Sequence, residues 1–306
     1  MRILFFVSIL FACFNLQSQV INEDLVSKHI SYLSSDELEG RKSGTRGIEL
    51  AAQYIEKEFE RIGLKTFNSE DYRQNFESRG LNLFNIIGLL EGKEKPNEYI
   101  VISAHYDHIG INEDIEGDNI FNGANDNASG TTAVLLLAKH YKELDSNSRS
   151  ILFVLFTAEE MGLIGSRYFG EKINPESIIA GINIEMIGKE SPFGEKTAWL
   201  TGFDRSDFGK IVQKNLEGSE YKLYPDPFID YKLFYRSDNA ALARLGIPAH
   251  TFSTSPMDKD LDYHKVTDEV STLDMYTITE TIKAIATGTS SLISGEDTPT
   301  RISIDE

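Results

Sequence analysis

The spacing of hydrophobic residues along the chain changes from a helical to a strand-like pattern after residue 63. From Glu23 to Gly63 the pattern is helical: in RGIELAAQYIEKEFERIG (46–63) apolar residues recur every three to four positions, and Gly63 offers a stop. Beyond it, continuous apolar runs alternate with helical stretches. The predicted strands are 85–90, 99–104, 151–156, 178–184, 198–201 and 248–252. The predicted helices are 128–144, 160–169, 206–216, 237–245 and 271–292.

Strands that are apolar throughout, with helices between them, indicate a sheet that is buried on both faces. We therefore predict an α/β fold with a largely parallel central sheet and helices on both faces. No internal repeat, low-complexity segment or Pro/Gly/Ser-rich linker interrupts the pattern. A single domain over residues 20–294 is the expectation.

The two ends of the chain differ from this pattern. Residues 1–19 (MRILFFVSILFACFNLQSQ) carry one positive charge, a short apolar run and then small or polar residues, which is the layout of a secretory signal peptide. Export to the periplasm or the medium is therefore predicted. Lipid anchoring through Cys13 is the less favoured alternative, because Phe11 fits a lipoprotein cleavage site poorly. Residues 295–306 form a polar C-terminal tail.

Composition excludes several classes of function. The 306 residues include 30 Lys and Arg against 48 Asp and Glu, so the formal net charge is −18. Such a surface disfavours nucleic acid and anionic lipid, both of which are bound through Lys and Arg. The single cysteine excludes an intrachain disulfide framework and any zinc site built on cysteines. A bound metal would need His, Asp and Glu ligands.

Histidine and acidic residues follow the predicted central strands. Ligands of open α/β sheets bind beyond the carboxyl ends of the strands, so these side chains are expected to converge. So many carboxylates would repel one another, and divalent cations are the simplest compensation. Two metals that share one carboxylate need about five protein ligands, and imidazole with carboxylate suits zinc, with manganese or cobalt also fitting. The available set is His105, Asp126, Glu160, Glu185 and His264, with Asp126 as the bridge.

Neighbours of these residues have chemistry of their own. Asp107 lies two positions after His105, where we expect it to orient the histidine. Glu159 precedes Glu160 and is the natural general base for a metal-activated water. His108 has no assigned partner, and His250 lies in a predicted buried strand and is expected to be a core residue.

Several segments resemble the signatures of the dizinc aminopeptidase family, whose superfamily also includes glutamate carboxypeptidases and animal-type glutaminyl cyclases. The similarity covers nearly the whole mature chain, including RKSGTRGIELAAQYI and RSDNAALARLGIPAHTF. It implies a single α/β domain with a mixed, mainly parallel sheet. The five signature segments are SAHYDHIG, NGANDNASG, FTAEEMGLIGS, NIEMIG and DYHKVTDE.

The resemblance assigns roles to the predicted ligands. It implies that His105 and Glu185 bind one zinc ion, that Glu160 and His264 bind the other, and that Asp126 bridges the two.

It also implies that Glu159 is the base, that Tyr263 stabilises the oxyanion of the tetrahedral intermediate, and that the peptide bond after the bridging aspartate is cis. The sequence departs from the family at two positions. Glu185 stands where Asp is common, and its extra methylene lengthens the reach of the carboxylate. Asn239 stands where many relatives carry His, and we assign it no ligand role.

The leading hypothesis is an exported metallo-aminopeptidase that removes N-terminal residues from peptides with a metal-activated water at two zinc ions. A single-zinc glutaminyl cyclotransferase is the first alternative, although those relatives tend to have Trp where Tyr263 stands, and the only tryptophan is Trp199. Carboxypeptidase action on acidic C-terminal residues would need Arg or Lys groups that the sequence does not place. A non-catalytic, peptidase-like binding protein is the remaining alternative.

Overall fold

The structure is a computed structural model that describes residues 20–304; the predicted signal peptide lies outside the described residues. The helices are α1 (Glu23–Leu33), α2 (Arg46–Ile62), α3 (Gly130–Leu144), α4 (Ile164–Lys172), α5 (Phe208–Asn215), α6 (Asn239–Ala243), α7 (Met275–Gly288) and α8 (Ser290–Ser294). The strands are β1 (Lys65–Thr66), β2 (Arg73–Ser78), β3 (Leu81–Leu90), β4 (Lys95–His105), β5 (Gly110–Ile111), β6 (Ile120–Phe121), β7 (Arg149–Phe156), β8 (Ile178–Ile184), β9 (Thr197–Leu200), β10 (Lys222–Pro225) and β11 (Ala249–Ser253).

Within residues 20–304, nine strands form one mixed sheet in the order β1-β3-β7-β4-β8-β11-β9-β10, with β2 also paired to β3. Its centre is parallel, because β4 runs parallel to both β7 and β8, and β11 runs parallel to β8. Strand β3 is antiparallel to β7, and β9 is antiparallel to β11. The carboxyl ends of β7, β4, β8 and β11 therefore meet along one edge. The predicted α/β fold with a mixed, mainly parallel sheet is confirmed.

Helices cover both faces of the sheet, as predicted. Every residue of β7 is buried, and its side chains alternate between two hydrophobic clusters. The larger cluster takes Phe153 and packs against α1, α2, α3 and α7, whereas the smaller one takes Val154 and packs against α4 and α6. The continuous apolar run thus reflects a strand with no solvent face.

The helical pattern of the N-terminal region divides into α1 and α2. The side chain of Asn22 accepts the Leu25 N–H at 3.0 Å and caps α1. Helix α2 ends at Gly63 as predicted: that glycine has φ +79°, and its N–H donates to the carbonyls of Phe59 and Glu60.

The structure differs from the predicted elements in several places. Strands β2 and β10 were missed, because both are half-exposed and contain polar residues. The two-residue strands β1, β5 and β6 were also missed, because they are too short to give a periodic pattern. The predicted helix 160–169 is wrong at its start, since residues 157–163 form a turn and α4 begins at Ile164. The predicted helix 271–292 begins at Met275 and is interrupted at Thr289.

The C-terminal tail lies against the domain as far as it is described. The Arg149 guanidinium donates to the carbonyl of Asp297 at 2.6 Å and to the hydroxyl of Thr298 at 2.6 Å, and Ile302 is buried. Among residues 20–304, no helix has the length and apolar character needed to cross a membrane.

Candidate metal centre

The end of β4 and the end of β8 bring the first group of predicted ligands together. His105 is the last residue of β4, and Glu185 directly follows β8, its parallel neighbour. His105 Nε2 lies 3.2 Å from Asp126 Oδ1. One donor atom from each of His105, Asp126 and Glu185 falls within 4.8 Å of the others. Such a cluster has the size of a cation site.

The second group of predicted ligands shares Asp126 with the first. His264 Nε2 lies 3.1 Å from Asp126 Oδ2 and 3.2 Å from Glu160 Oε2. The two carboxylate oxygens of Asp126 therefore face different histidines, His105 on one side and His264 on the other. A carboxylate that bridges two cations needs this orientation.

A third histidine, His108, also belongs to this cluster. His108 Nδ1 lies 2.9 Å from Glu160 Oε1 and 3.9 Å from Asp126 Oδ2, and its ring contacts that of His264 edge to face. His108, Asp126 and Glu160 form another group of donor atoms within 4.8 Å. Sequence reasoning left His108 without a partner. Its position in the loop after β4, three residues beyond His105, was the available signal.

The loop that carries Asp126 is fixed by hydrogen bonds on two sides. The Asp268 carboxylate accepts the backbone N–H groups of Asn125 at 2.8 Å and Asp126 at 3.0 Å. Asn127 Nδ2 donates to the carbonyl of Ile184 at 3.0 Å, which ties the loop to the end of β8. The peptide bond between Asp126 and Asn127 is cis, as the resemblance implied.

Gly123 permits this loop to turn directly beside the cluster. Its φ is +55°, and a Cβ built there would lie 2.2 Å from the Asp126 carbonyl oxygen and 2.5 Å from the His108 ring. Neither neighbour leaves room for a side chain, so glycine is required here.

Arg41 lies fully buried beneath the centre and was missed by sequence reasoning. Its guanidinium donates to the carbonyls of Tyr106 at 3.0 Å, Asn122 at 2.6 Å and Gly123 at 3.0 Å, and also to that of Leu33. One side chain thus connects the segment that carries His105 and His108 with the segment that leads to Asp126.

Asp107 connects His105 with Glu159. His105 Nδ1 lies 3.2 Å from the carbonyl oxygen of Asp107 and 3.8 Å from its carboxylate. That carboxylate accepts the backbone N–H of Glu159 at 3.1 Å. Asp107 therefore touches the histidine mainly through its main chain and fixes the Glu159 segment with its side chain.

The acidic side chains around the centre outnumber the positive groups that could neutralise them. Burial raises the pKa of Glu185 to about 7, with Asp126 adding to the effect. Burial also raises the pKa of Asp238 to about 7, with Glu185 adding to the effect. Burial, together with Glu185 and Asp238, also holds the pKa of Glu159 well above its usual range. Asp238 was not predicted as a site residue. It belongs to the RSDNA segment, and neither of its carboxylate oxygens has a hydrogen-bond partner within residues 20–304.

The donor atoms fit divalent cations. In the described part of the chain, His105 Nε2, Asp126 Oδ1 and Glu185 Oε2 are buried without a hydrogen-bond partner, as is His108 Nε2. Polar atoms in such positions are costly unless they are satisfied. A cation in the group of His105, Asp126 and Glu185 would pair with the first three of these atoms and would neutralise part of the surplus of carboxylates.

Tyr263 and Asn239 occupy different surroundings. The Tyr263 ring stacks on that of His264 with centroids 3.9 Å apart, beside a pocket that also contacts Glu185. Asn239 accepts the Thr251 hydroxyl at 2.8 Å and donates to the Phe234 carbonyl at 3.0 Å, so its side chain is used in packing. His250 is buried in β11, as expected, and contacts the Ser206 hydroxyl and the Thr201 carbonyl.

Solved structures of aminopeptidases share this fold. The Legionella pneumophila LapA aminopeptidase superposes with a TM-score of 0.72 over 90% of this chain and 74% of its own, at 20% identity. At that identity the likeness concerns the fold alone.

Curated relatives are similar over parts of the sequence. A probable zinc metalloprotease of Pyrenophora teres f. teres is 28% identical over 179 residues, which is 55% of this chain and 37% of that protein. Aminopeptidase YwaD of Bacillus subtilis is 32% identical over 108 residues, 34% of this chain and 22% of its own length. The chain thus spans less than half the length of these relatives.

The family match is broader. Residues 85–289, about two thirds of the chain, match peptidase family M28, and they include every predicted metal ligand. The resemblance drawn from the five signature segments is confirmed: this chain belongs to peptidase family M28.

Proposed function

We propose that this protein is an exported metallo-aminopeptidase that hydrolyses N-terminal residues from peptides at a dinuclear zinc site. The observation that carries the proposal is the orientation of Asp126, whose two oxygens face His105 at 3.2 Å and His264 at 3.1 Å. Glu185 completes the group around His105, and Glu160 completes the group around His264. The names of the relatives, zinc metalloprotease and aminopeptidase, support the same chemistry.

The proposed ligands are His105 and Glu185 for one ion, Glu160 and His264 for the other, and Asp126 for both. When bound, zinc lowers the pKa of a water molecule and polarises a carbonyl group. His108, in contact with Glu160, is the additional group that orients this carboxylate or takes part in binding.

Glu159 is the proposed general base. The residue is partly buried, and its backbone N–H donates to the Asp107 carboxylate. Burial keeps its pKa well above the usual range, which favours acceptance of a proton from the attacking water and delivery of that proton to the leaving amine. Tyr263, at the wall of the adjoining pocket, is the proposed donor of an O–H to the oxyanion that forms on the scissile carbonyl.

Metal analysis and a substrate pair test the proposal. The purified protein should bind two zinc ions per chain and release p-nitroaniline from leucine p-nitroanilide. Glu159→Gln should retain both ions and lose turnover by about a hundredfold or more, since general-base catalysis contributes that much. Glu171→Gln, on the exposed side of α4, is the matched control and should keep full activity.

Other outcomes would point to the alternatives. Cyclisation of an N-terminal glutamine peptide, without hydrolysis of the leucine substrate, would indicate a cyclotransferase. A preparation that binds no metal would indicate a binding protein. Near-normal turnover of Glu159→Gln would remove Glu159 from the role of base.

Export is the part of the proposal that rests on sequence. The charge, apolar run and polar end of residues 1–19 support cleavage by a signal peptidase. The intact mass of the protein from the exporting host should correspond to a chain that begins near residue 20. A mass that includes a lipid on Cys13 would show anchoring instead.

A further inference from the structure

A pocket opens beside the metal centre, between the carboxyl ends of β8, β9 and β11. Glu185 and Tyr263 lie on the side of the pocket that faces the centre. The opposite walls are formed by side chains outside the predicted site. They include Trp199, Thr201, Leu233, Arg236 and Met257.

Arg236 brings a guanidinium to this pocket that is not used elsewhere. Within residues 20–304, no carboxylate lies within 4.0 Å of its nitrogens, although the chain carries a net charge of −18. Its side chain is exposed at the pocket, which Tyr263 also lines. Neighbouring Arg244 differs, because it stacks over Tyr235 and does not line the pocket.

Trp199 supplies a second donor without a partner. The residue is 2% exposed, and its indole Nε1 has no hydrogen-bond partner within the described residues. Since a buried N–H of this kind is normally satisfied, a ligand acceptor in the pocket would remove the cost.

The hydroxyl groups of the walls complete the pattern. Thr201 Oγ1 accepts the Thr251 N–H at 3.0 Å, so its own proton is directed elsewhere. The hydroxyls of Thr251 and Ser253 already donate, to Asn239 at 2.8 Å and to the Met186 carbonyl at 2.9 Å. Away from Glu185, which belongs to the metal centre, the polar groups that remain for a ligand are therefore donors, and the Arg236 guanidinium is permanently charged.

We infer that this pocket binds a carboxylate of the peptide substrate, held by the Arg236 guanidinium and the Trp199 N–H. The inference rests on the proposed aminopeptidase function and names its substrate class. Leu233 and Met257 cover the aliphatic part of the substrate, while Arg236 pairs with the anion in a charge-assisted hydrogen bond. Two sources supply such a carboxylate: the side chain of an N-terminal Glu or Asp, and the free C-terminus of a dipeptide.

Kinetics with paired substrates distinguish the two sources. Glutamyl and glutaminyl p-nitroanilide differ only in the side-chain carboxylate, whereas Leu-Gly and Leu-Gly-amide differ only in the terminal one. The wild type should prefer the acid of one pair by about tenfold or more in kcat/KM, the effect expected of a charge-assisted contact. Arg236→Gln should reduce that ratio to near one, Arg236→Lys should restore part of it, and Arg244→Gln should leave it unchanged.

A binding measurement keeps the inference separate from the proposed activity. Trp199 is the only tryptophan in the sequence, so its fluorescence reports occupation of the pocket. The zinc-loaded protein is titrated with each ligand, and the change in emission gives the dissociation constant. If the pocket binds the side-chain carboxylate, L-glutamate should bind at least about tenfold more tightly than L-glutamine. If it binds the terminal carboxylate, glycyl-glycine should bind at least about tenfold more tightly than glycyl-glycine amide.

The outcomes separate the two proposals. Loss of the preference in Arg236→Gln, in binding as well as kinetics, supports the inference. Carboxylate-selective binding in a protein that hydrolyses none of the substrates would overturn the proposed function but retain the pocket assignment. Equal affinity for acid and amide in both pairs, unaffected by Arg236→Gln, would overturn the inference even if leucine p-nitroanilide is hydrolysed.

Discussion

Replacement of Arg41 by Met tests how the two segments of the metal centre are held. Arg41→Met keeps most of the aliphatic volume and removes every donor of the guanidinium. Three buried carbonyl groups, those of Leu33, Tyr106 and Asn122, then lose their partner. The Gly123 carbonyl loses one of two donors, because it also accepts the Ala128 N–H at 3.2 Å.

The magnitude follows from the number of acceptors. Each buried acceptor without a partner costs about 1–3 kcal/mol, so the three together cost at least about 3 kcal/mol. Removal of the buried charge itself returns part of this, because the guanidinium no longer has to be desolvated. The net loss in the free energy of unfolding should be about 3–5 kcal/mol, as for other buried charged networks from which one partner is removed.

Urea unfolding of the metal-free protein, followed by circular dichroism, measures this loss. The midpoint should fall without a change in slope. Arg46→Met is the matched control, because Arg46 is largely exposed and pairs only with Glu39, so its loss should cost at most about 1 kcal/mol. If the free energy of unfolding of Arg41→Met lies within about 1 kcal/mol of that of this control, the contacts of Arg41 with the four carbonyls do not stabilise the centre.

Other predictions concern the ligands and one buried histidine. Glu185→Asp should weaken zinc binding on the His105 side by roughly tenfold or more, since the shorter side chain withdraws its carboxylate from the group of donor atoms. Competition with a chelator measures this, and unchanged affinity would contradict it. His108→Asn should lower zinc affinity by roughly 10–100-fold through loss of the contact with Glu160, and an unchanged zinc content after dialysis against chelator would show that the contact is dispensable. Burial lowers the pKa of His29 to about 4 from 6.5, so the folded state binds this proton less readily than the unfolded state. The free energy of unfolding of the metal-free protein should therefore fall by ~2 kcal/mol between pH 8 and pH 5, and His29→Gln should remove that part of the pH dependence; an identical pH profile in the variant would refute it.

The central strands were predictable because a strand that is buried on both faces has a continuous run of apolar residues. The runs at 99–104 and 151–156 lie within β4 and β7, and 178–184 coincides with β8. Strand β2 left no such record, because half of its residues face solvent and its sequence, RQNFES, is mostly polar. Its pairing with β3 depends on a neighbour and not on its own composition.

The side chains that form the centre could be predicted from the sequence, but the contacts that hold their segments in place could not. His105 and Glu185 follow buried strands directly, so their convergence follows from parallel strand order. Arg41 has no local signal, because three of its four acceptors lie 65, 81 and 82 residues away. His108 and Asp238 are recognisable only once the loops that carry them are placed in space.

The proposed ligands come from the last residue of β4 and from the segments that follow β4, β7, β8 and β11, between residue 105 and residue 264. A nascent or partly assembled chain therefore offers a cation no more than scattered weak donors, unlike a zinc finger, where neighbouring ligands let the ion organise the fold. Uptake of metal must follow completion of the sheet, with β11 docked beside β8. Tight zinc retention is then a sensitive indicator that the whole topology has formed, and bound zinc would in turn shift the unfolding equilibrium towards the folded chain.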